Sequence, residues 1–283
     1  MFGVGVGVRV GGFTASSGVT PYVGLLDDYP SAAAAYSVRL LKSDYTGNAI
    51  RVRRSSDNTE QNIGFTALGN LDTTALTSFC SGTNGFVTTW YDQSGNGLNA
   101  VQTTAASQPQ IVSSGSILTE NTKPSIRFNN YYMVISSVLL NSTNVSAYYA
   151  TIPKTSYSYG GIITNKRGSA DDANAINWLN NGKIDMTYSG VVSVTQTSVV
   201  TTLFQGTALW NTTNLTLRTN GVQDGTTLKI GTQNFSTQTW MGTYRQDTNN
   251  LGNFSIPELI VYQSDQSANN SGIENNIKTY YGT

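Results

Sequence analysis

The side chains that could do acid–base chemistry in this 283-residue chain are mainly carboxylates, because the sequence contains no histidine. A Ser-His-Asp triad, a zinc site with imidazole ligands and imidazole acid–base catalysis are therefore excluded. A pair of carboxyl groups could instead hydrolyse a glycosidic bond, with one group as acid and the other as nucleophile or base. The four glutamates show no such pairing: Glu60 lies in a polar turn, Glu120 among polar residues, Glu258 in a strand-like run and Glu274 on a C-terminal helix.

Three aspartates in the second half of the chain could also supply carboxyl groups. Asp171 and Asp172 are adjacent, and Asp185 stands alone within a strand-like run. Paired aspartates in a segment of Ser, Ala and Asn are more typical of a solvated turn than of a reactive site.

Asp92 belongs to a motif around which the rest of the chain is organised. Residues 86–91 are nearly all β-branched or aromatic, which predicts a half-buried strand with Trp90 in the core. The glycines and asparagines that follow suit a compact loop. Asp92, with Asn96 and Asn99, could offer oxygen ligands to calcium, although hydrogen bonding to the backbone of its own loop is the favoured alternative. The motif consists of Trp90, Tyr91, Asp92, Gln93, Ser94, Gly95, Asn96 and Gly97.

This motif also carries a resemblance to known proteins, together with Arg51–Thr59, Ile63–Phe65 and Lys123–Asn129. The set resembles the concanavalin A-like (laminin-G-like) lectin/glucanase superfamily, and residues 30–130 are most similar to the N-terminal part of the α-L-arabinofuranosidase B catalytic domain. The nucleophile of those relatives lies in a glutamate-containing motif on a later strand, which this sequence lacks. We therefore predict that the chain is not an enzyme and has neither catalytic residues nor a cofactor.

The resemblance also bears on Cys80, the only cysteine. In the arabinofuranosidase relatives, the corresponding stretch forms a disulfide with a second cysteine a few residues later. That partner position falls at residues 84–86 of this chain, where no cysteine is present. Cys80 is therefore expected to be a small buried residue rather than a reactive thiol.

The composition restricts the class of partner. Lys plus Arg and Asp plus Glu both number 16, so the formal net charge is zero. This balance argues against nucleic acid, whose binding draws on an excess of positive charge. Charged residues make up only 11% of the chain, which suits an all-β extracellular or virion protein better than a helical cytosolic enzyme.

Within residues 2–10, Gly3, Gly5 and Gly7 alternate with larger residues. Such a strand is poorly specified alone, because glycine adds backbone entropy and no packing. The segment lacks the features of a signal peptide and is too glycine-rich to insert into a membrane. It is either a loose tail or an assembly arm that adds to the sheet edge of a partner. The arm residues are Phe2, Gly3, Val4, Gly5, Val6, Gly7 and Val8.

The remaining chain repeats short β-prone runs separated by turn signals, with Asn220-Gly221 as a strong hairpin turn. Asp72 is placed to cap one internal helix, residues 72–79, and residues 267–281 predict a second helix. We predict an all-β, concanavalin A-like jelly-roll β-sandwich with one or two short helices and an N-terminal extended arm. The expected division is an arm and linker over residues 1–24 and a laminin-G-like domain over residues 25–283.

The lack of signal-peptide features, the lack of a recognisable catalytic pair and the glycine-alternating N-terminal strand together resemble the laminin-G-like modules of tailed bacteriophage virions. This resemblance implies a bacteriophage virion structural protein, either a capsid decoration or head-fibre protein or a tail component. Its expected partners are other virion proteins, contacted through the arm, and further copies of the chain. Host surface carbohydrate is a further candidate partner, and neither nucleic acid nor membrane insertion is expected. The alternative is a secreted bacterial module that binds carbohydrate or acts as an arabinofuranosidase-like glycoside hydrolase.

Overall fold

The computed structural model describes residues 22–154, 160–165, 174–189, 192–230, 238–243 and 252–283. In these residues the chain forms antiparallel strands in two layers, so the prediction of an all-β sandwich is confirmed. The first strands are β1 (Ala34–Ser37), β2 (Ile50–Arg54), β3 (Glu60–Ile63), β4 (Gly85–Trp90), β5 (Ala100–Val101), β6 (Gln110–Ser113), β7 (Ser116–Ile117), β8 (Thr119–Glu120), β9 (Lys123–Pro124), β10 (Ile126–Asn129) and β11 (Met133–Ile135). The later strands are β12 (Val145–Pro153), β13 (Gly160–Asn165), β14 (Ala175–Trp178), β15 (Ile184–Tyr188), β16 (Val192–Thr195), β17 (Phe204–Trp210), β18 (Asn214–Thr219), β19 (Val222–Leu228), β20 (Thr239–Met241) and β21 (Asn253–Tyr262).

Three α-helices accompany the strands in the described residues: α1 (Leu25–Asp28), α2 (Thr73–Phe79) and α3 (Asn270–Tyr281). The Asp72 side chain accepts a hydrogen bond from the backbone of Ala75 at 2.9 Å, which confirms the predicted cap of α2. Helix α3 confirms the predicted C-terminal helix. In the part of the chain that is described, no helix has the length and apolar character needed to cross a membrane.

Backbone pairing divides most strands into two layers. In the first layer, β21 lies between β12 on one side and β1 and β10 on the other, and β17, β18 and β19 continue from β12. The second layer runs in the order β3, β2, β4, β5, β11, β20, β13, β14, β15 and β16. Strand β6 pairs with both β4 and β10 and so joins the two layers.

Large side chains fill the space between the layers. Trp178 on β14 meets the Phe204 ring on β17 edge to face, with ring centroids 5.8 Å apart, and its Nε1 donates to Thr151 Oγ1 on β12 at 3.3 Å. Trp210 is also buried and donates from Nε1 to the Thr187 carbonyl of the opposite layer. The expectation that at least two of Trp178, Trp210 and Trp240 lie in the core is therefore confirmed.

The outer face of the first layer is covered by helices. Leu25 of α1 and Ile273, Ile277 and Tyr281 of α3 are buried in one apolar cluster with the strands beneath them. Glu274 of α3 accepts two hydrogen bonds from Arg218 on β18, at 2.7 and 3.1 Å, so an ion pair also holds the helix to the sheet. The outer face of the second layer carries the candidate site.

Candidate functional site

A row of polar side chains crosses three adjacent strands on the outer face of the second layer. Asn177 on β14 is in register with Asp185 on β15, which is in register with Thr195 on β16. Their neighbours Ile176, Trp178, Ile184 and Met186 point into the core. Because side chains alternate between the two faces of a strand, the polar residues point the other way. We call Asn177, Asp185 and Thr195 the polar row.

Asp185 is the titratable member of the polar row. Its side chain is only 6% exposed, and one carboxylate oxygen accepts a hydrogen bond from Thr195 Oγ1 at 2.9 Å. Burial raises the pKa of Asp185 above the usual value of 3.8, and hydrogen bonds from Thr195 and Ser193 offset only part of this rise. The carboxyl group therefore keeps its proton at a higher pH than a solvated aspartate does.

Asn177 places an amide beside this carboxyl group. Directly opposed residues on antiparallel strands have Cβ atoms about 5 Å apart, so the two side chains are neighbours. Asn177 is 1% exposed, and its Oδ1 atom is buried and has no hydrogen-bond partner among the described residues. A buried acceptor without a partner is costly in a folded protein. The Asn177 Oδ1 atom therefore has unused capacity to accept a hydrogen bond.

The backbone near Asn177 is shaped by a glycine on the neighbouring strand. Gly161 on β13 is in register with Asn177, and an added Cβ there would lie 2.1 Å from the Thr243 carbonyl oxygen. Only glycine allows the Thr243 carbonyl to come this close. Thr243, which follows β20, therefore lies next to the Asn177 end of the polar row. The Gly161 carbonyl also accepts a hydrogen bond from the Gly242 backbone at 2.7 Å.

The polar row can therefore donate a proton and bind hydroxyl groups. A carboxyl group with a raised pKa is better suited to protonate a leaving oxygen than a solvated aspartate is. Amide and hydroxyl groups next to it are suited to recognise the many hydroxyls of a sugar.

The glutamates have a different role, since each one forms an ion pair. Glu258 binds Arg39 through two hydrogen bonds of 2.7 and 2.8 Å, and Glu274 binds Arg218. Glu60 lies 2.5 Å from Arg51, and Glu120 lies 2.5 Å from Lys154. Paired in this way, the glutamates connect elements of the fold.

The motif at residues 90–97 lies away from the polar row and has a structural role. Trp90 is fully buried and packs on Tyr36, with ring centroids 5.8 Å apart. Both oxygens of Asp92 accept hydrogen bonds from the loop, one from the Ser94 backbone at 2.9 Å and the other from the Leu98 backbone at 3.0 Å. This arrangement supports the interpretation in which Asp92 bonds to its own loop, rather than the calcium interpretation.

The same loop also holds the segment that contains β1, which the sequence analysis did not anticipate. Asp92 Oδ1 accepts a hydrogen bond from the Ala35 backbone at 2.8 Å. Gln93 is fully buried, and it accepts a hydrogen bond from the backbone of Leu41 and donates to the carbonyls of Ser37 and Arg39. The motif thus fastens β1 of the first layer to the end of β4 in the second.

Several predicted residues lie outside the described residues. They are Asp171, Asp172 and the arm residues Phe2 to Val8. Association through the arm, with other proteins or with further copies of the chain, stays a prediction.

The sequence analysis considered Asp185 alone and missed its neighbours in the polar row. The signal that would have found Asn177 is the Asn181-Gly182 pair between two β-prone runs, which is typical of a hairpin. The Leu179 backbone indeed bonds to the Lys183 carbonyl across this turn, and Gly182 has a φ of 75°. The hairpin sets the register that pairs Asn177 with Asp185.

Comparison with known families and curated proteins points to one group. The family model for the catalytic domain of α-L-arabinofuranosidase B matches residues 26–123, which is less than half of the chain. A probable α-L-arabinofuranosidase B from Aspergillus niger is 40% identical over 76 residues, covering 26% of this chain. The chain spans only 15% of the length of that relative.

Solved structures extend the similarity of fold over most of the chain. An arabinofuranosidase in complex with arabinofuranosyl-α-1,2-xylobiose has a TM-score of 0.65 and 17% identity, covering 90% of this chain and 64% of the other. A GH54 α-L-arabinofuranosidase soaked with a cyclic sulfate inhibitor has a TM-score of 0.64 and 16% identity, covering 90% and 65%. The fold is therefore a β-sandwich of the kind found in these glycosidases.

These matches correct the functional interpretation of the sequence. The bacteriophage capsid or tail protein, its virion location and the prediction that the chain is not an enzyme are wrong, because the matched proteins are arabinofuranosidases. The prediction rested on a missing glutamate motif. It treated Asp185 as an isolated carboxylate, because a motif search does not detect burial among hydroxyl groups.

Proposed function

We propose that this chain is an arabinofuranosidase-like glycoside hydrolase module that removes arabinofuranosyl groups from glycans at the polar row. The observation that carries the proposal is Asp185, a buried carboxyl group with a raised pKa on a glycosidase-like sandwich. The match of residues 26–123 to an arabinofuranosidase catalytic domain supports the choice of sugar. Placement of the chain in the concanavalin A-like superfamily is a finer proposal, which the two-layer arrangement supports.

Each member of the polar row has a role in the proposed reaction. Asp185 donates its proton to the glycosidic oxygen as the bond to the leaving group breaks. Asn177 binds a sugar hydroxyl through its amide, and Thr195 holds the Asp185 carboxyl group through the 2.9 Å hydrogen bond. The reaction needs a second carboxylate as nucleophile or base. Asp171 and Asp172 stand four and three residues before β14 in sequence and lie outside the described residues, so only the mutations below test them for this role.

The test compares Asp185→Asn with the native protein on two substrates. Loss of a general acid lowers the rate by about 10²- to 10⁴-fold, so the variant should release arabinose very slowly from an arabinose-branched oligosaccharide. The loss should be much smaller with 4-nitrophenyl α-L-arabinofuranoside, because the nitrophenolate ion leaves without a proton. Asp28→Asn, which changes an exposed carboxylate on α1, is the control and should keep native rates on both substrates.

The outcome on the native protein decides whether the proposal survives. If it releases no arabinose from either substrate, the hydrolase assignment is wrong. If Asp185→Asn loses activity equally on both substrates, the acid role is wrong although the hydrolase assignment stands. Asp171→Asn and Asp172→Asn then separate the candidate partners, since loss of a nucleophile should abolish turnover of both substrates.

A further inference from the structure

A pocket of about 540 Å³ opens beside helix α3, which covers the outer face of the first layer. The polar row lies on the outer face of the second layer, so the pocket and the polar row are on opposite sides of the sandwich. We call this feature the helix pocket. Its lining residues in the described part of the chain are Arg39, Lys123, Asn275, Asn276, Thr279 and Tyr280.

One tyrosine ring positions both cations of the helix pocket. The Arg39 guanidinium carbon lies 4.5 Å from the centroid of the Tyr280 ring, and Lys123 Nζ lies 4.3 Å from the same centroid. The Tyr280 hydroxyl donates a hydrogen bond to Asn70 Oδ1 at 3.0 Å, which fixes the ring. Because a cation is attracted to the face of an aromatic ring, Tyr280 keeps Arg39 and Lys123 at the pocket.

The two cations differ in how far their charge is already neutralised. Arg39 is only 6% exposed, and its Nε and Nη2 atoms donate to Glu258 at 2.7 and 2.8 Å. Lys123 forms no ion pair with a described residue. Glu120 on β8 is in register with Lys123, but its carboxylate binds Lys154 at 2.5 Å. Since no carboxylate is among the described lining residues, the helix pocket has one uncompensated positive charge, which favours an anionic ligand.

Hydrogen-bonding groups that the fold does not use lie around this charge. Arg39 Nη1 donates no hydrogen bond to a described residue, in contrast to Nε and Nη2. The Asn276 side chain also forms no hydrogen bond within the described chain, and its Oδ1 atom is buried. Half a turn of this amide exchanges its oxygen and nitrogen, so Asn276 can accept from a ligand or donate to it. Asn275 and Thr279 are exposed and add a second amide and a hydroxyl.

These groups match a sugar acid better than a neutral sugar or a phosphate. The single negative charge of a uronate matches the charge of Lys123, whereas a phosphate monoester carries nearly two negative charges at neutral pH. The uronate carboxylate would form charge-assisted hydrogen bonds with Lys123 and with Arg39 Nη1. Its ring hydroxyls both donate and accept, as the Asn276 amide and the Thr279 hydroxyl require. The pocket volume is also within the range of small-ligand sites.

We infer that the helix pocket is a binding site for a sugar acid, with Lys123 on its carboxylate and Asn276 and Thr279 on its hydroxyls. The inference goes beyond the proposed hydrolase function and does not rest on it, because the helix pocket and the polar row share no residue. The site binds its ligand and takes no part in bond breaking.

A titration with two matched sugars tests the inference. D-Galacturonate and D-galactose differ only at C6, which carries a carboxylate in the first and a hydroxymethyl group in the second. Binding to the native protein is followed by heteronuclear NMR at neutral pH. Galacturonate should shift the backbone amide signals of residues 275–280, and galactose at the same concentration should not. Inorganic phosphate should bind more weakly than galacturonate, because it offers no ring hydroxyls to Asn276 and Thr279.

Variants of the lining residues show whether the named groups hold the ligand. Lys123→Gln should lower the affinity for galacturonate about tenfold or more, as expected for loss of a charge-assisted hydrogen bond, and Lys123→Arg should keep most of it. Asn276→Asp places a carboxylate in the pocket and should abolish binding through repulsion. The control is Lys183→Gln, which removes a lysine charge before β15 in the second layer and should bind as the native protein does.

Thermal unfolding of each variant identifies those that are folded, and only folded variants are compared. Native affinity for galacturonate in either Lys123→Gln or Asn276→Asp would overturn the inference. The absence of shifts at residues 275–280 of the native protein, or equal shifts with galactose, would also overturn it. Equal affinity for phosphate and galacturonate would show that the site does not recognise a sugar acid.

Discussion

Asp185 shows how a single buried carboxyl group acquires a chemical role from its surroundings. Its described partners are hydroxyl groups, whereas the glutamates face Arg or Lys. Removal from water disfavours the charged form of a carboxyl group, and a hydroxyl donor offsets this less than a cation does. The result is a raised pKa at a buried carboxyl group on the outer face of the second layer.

The raised pKa of Asp185 predicts a dependence of stability on pH. Between the usual pKa of 3.8 and the raised value, the folded protein binds more protons than the unfolded chain. The contribution of this group to the free energy of unfolding is therefore fully present below pH 3.8 and is lost as the pH rises through the raised pKa. Asp185→Asn removes this dependence, so the stability of the variant should increase relative to the native protein from pH 4 to pH 7, as measured by urea unfolding.

Thr195→Val provides the matched comparison for this pH series. The substitution removes the Thr195 hydroxyl, whose hydrogen bond to Asp185 lowers the pKa of that carboxyl group. The decline of stability with pH should therefore start at the same pH and extend to a higher pH in this variant, opposite to the flattening produced by Asp185→Asn. Parallel stability curves for all three proteins would show that Asp185 is not protonated differently in the folded and unfolded states.

At the scale of elements, a close contact joins the end of α2 to the start of β4. Cys80 caps the C-terminus of α2 and is fully buried, and burial raises the pKa of its thiol. These facts agree with the expectation of a small buried residue. A Cβ atom added to Gly85 would lie 2.8 Å from Cys80 Sγ, so Gly85 is the position from which a second cysteine would reach Cys80.

Gly85→Cys should therefore form a disulfide with Cys80 in oxidising buffer. Closing so short a loop stabilises the folded state by about 2 kcal/mol in the chain-entropy treatment. The added Cβ also lies 3.1 Å from atoms of Val52 and Val112, so crowding offsets part of the gain. Comparing the oxidised and reduced forms of the same variant by urea unfolding cancels the crowding. Oxidised and reduced forms of equal stability would contradict the prediction, and Cys80→Ala/Gly85→Cys should show no redox dependence.

The elements differ in how far the sequence determines them. Helix α2 was predictable because Asp72 and the residues after it carry a local capping signal. The Asn220-Gly221 hairpin was predictable because both residues adopt positive φ, 50° and 85°, which these residue types tolerate. The four-residue helix α1 was not predicted, since Leu25 and Leu26 owe their helical turn to burial against distant residues.

At the scale of the whole molecule, most of the strand order depends on pairings between residues far apart in sequence. Strand β1 pairs with β21 from Ala34 opposite Val261 to Ser37 opposite Glu258. Runs of β-branched and aromatic residues predict that strands exist, but no local pattern specifies which distant strand each one joins. The position of Trp240 relative to the polar row has the same origin, because it depends on β20 pairing with β13. A sequence can therefore indicate Trp240 and Asp185 separately without placing them on one face.

The division of the chain into an arm and a sandwich is a proposal that truncation can test. Tyr22 donates a hydrogen bond to the Leu40 carbonyl, and the Gly24 backbone donates to Asp27 at 2.7 Å, so the sandwich includes residues from Tyr22 onward. Deleting residues 1–21, which lie outside the described residues, should leave the thermal unfolding midpoint unchanged. Deleting residues 1–37 is the control and should abolish cooperative unfolding, because it removes β1 from its place beside β21 and the buried Leu25 from the cluster under α3. A lower midpoint after removal of residues 1–21 alone would show that the glycine-alternating segment is part of the folded sandwich and not a separate arm.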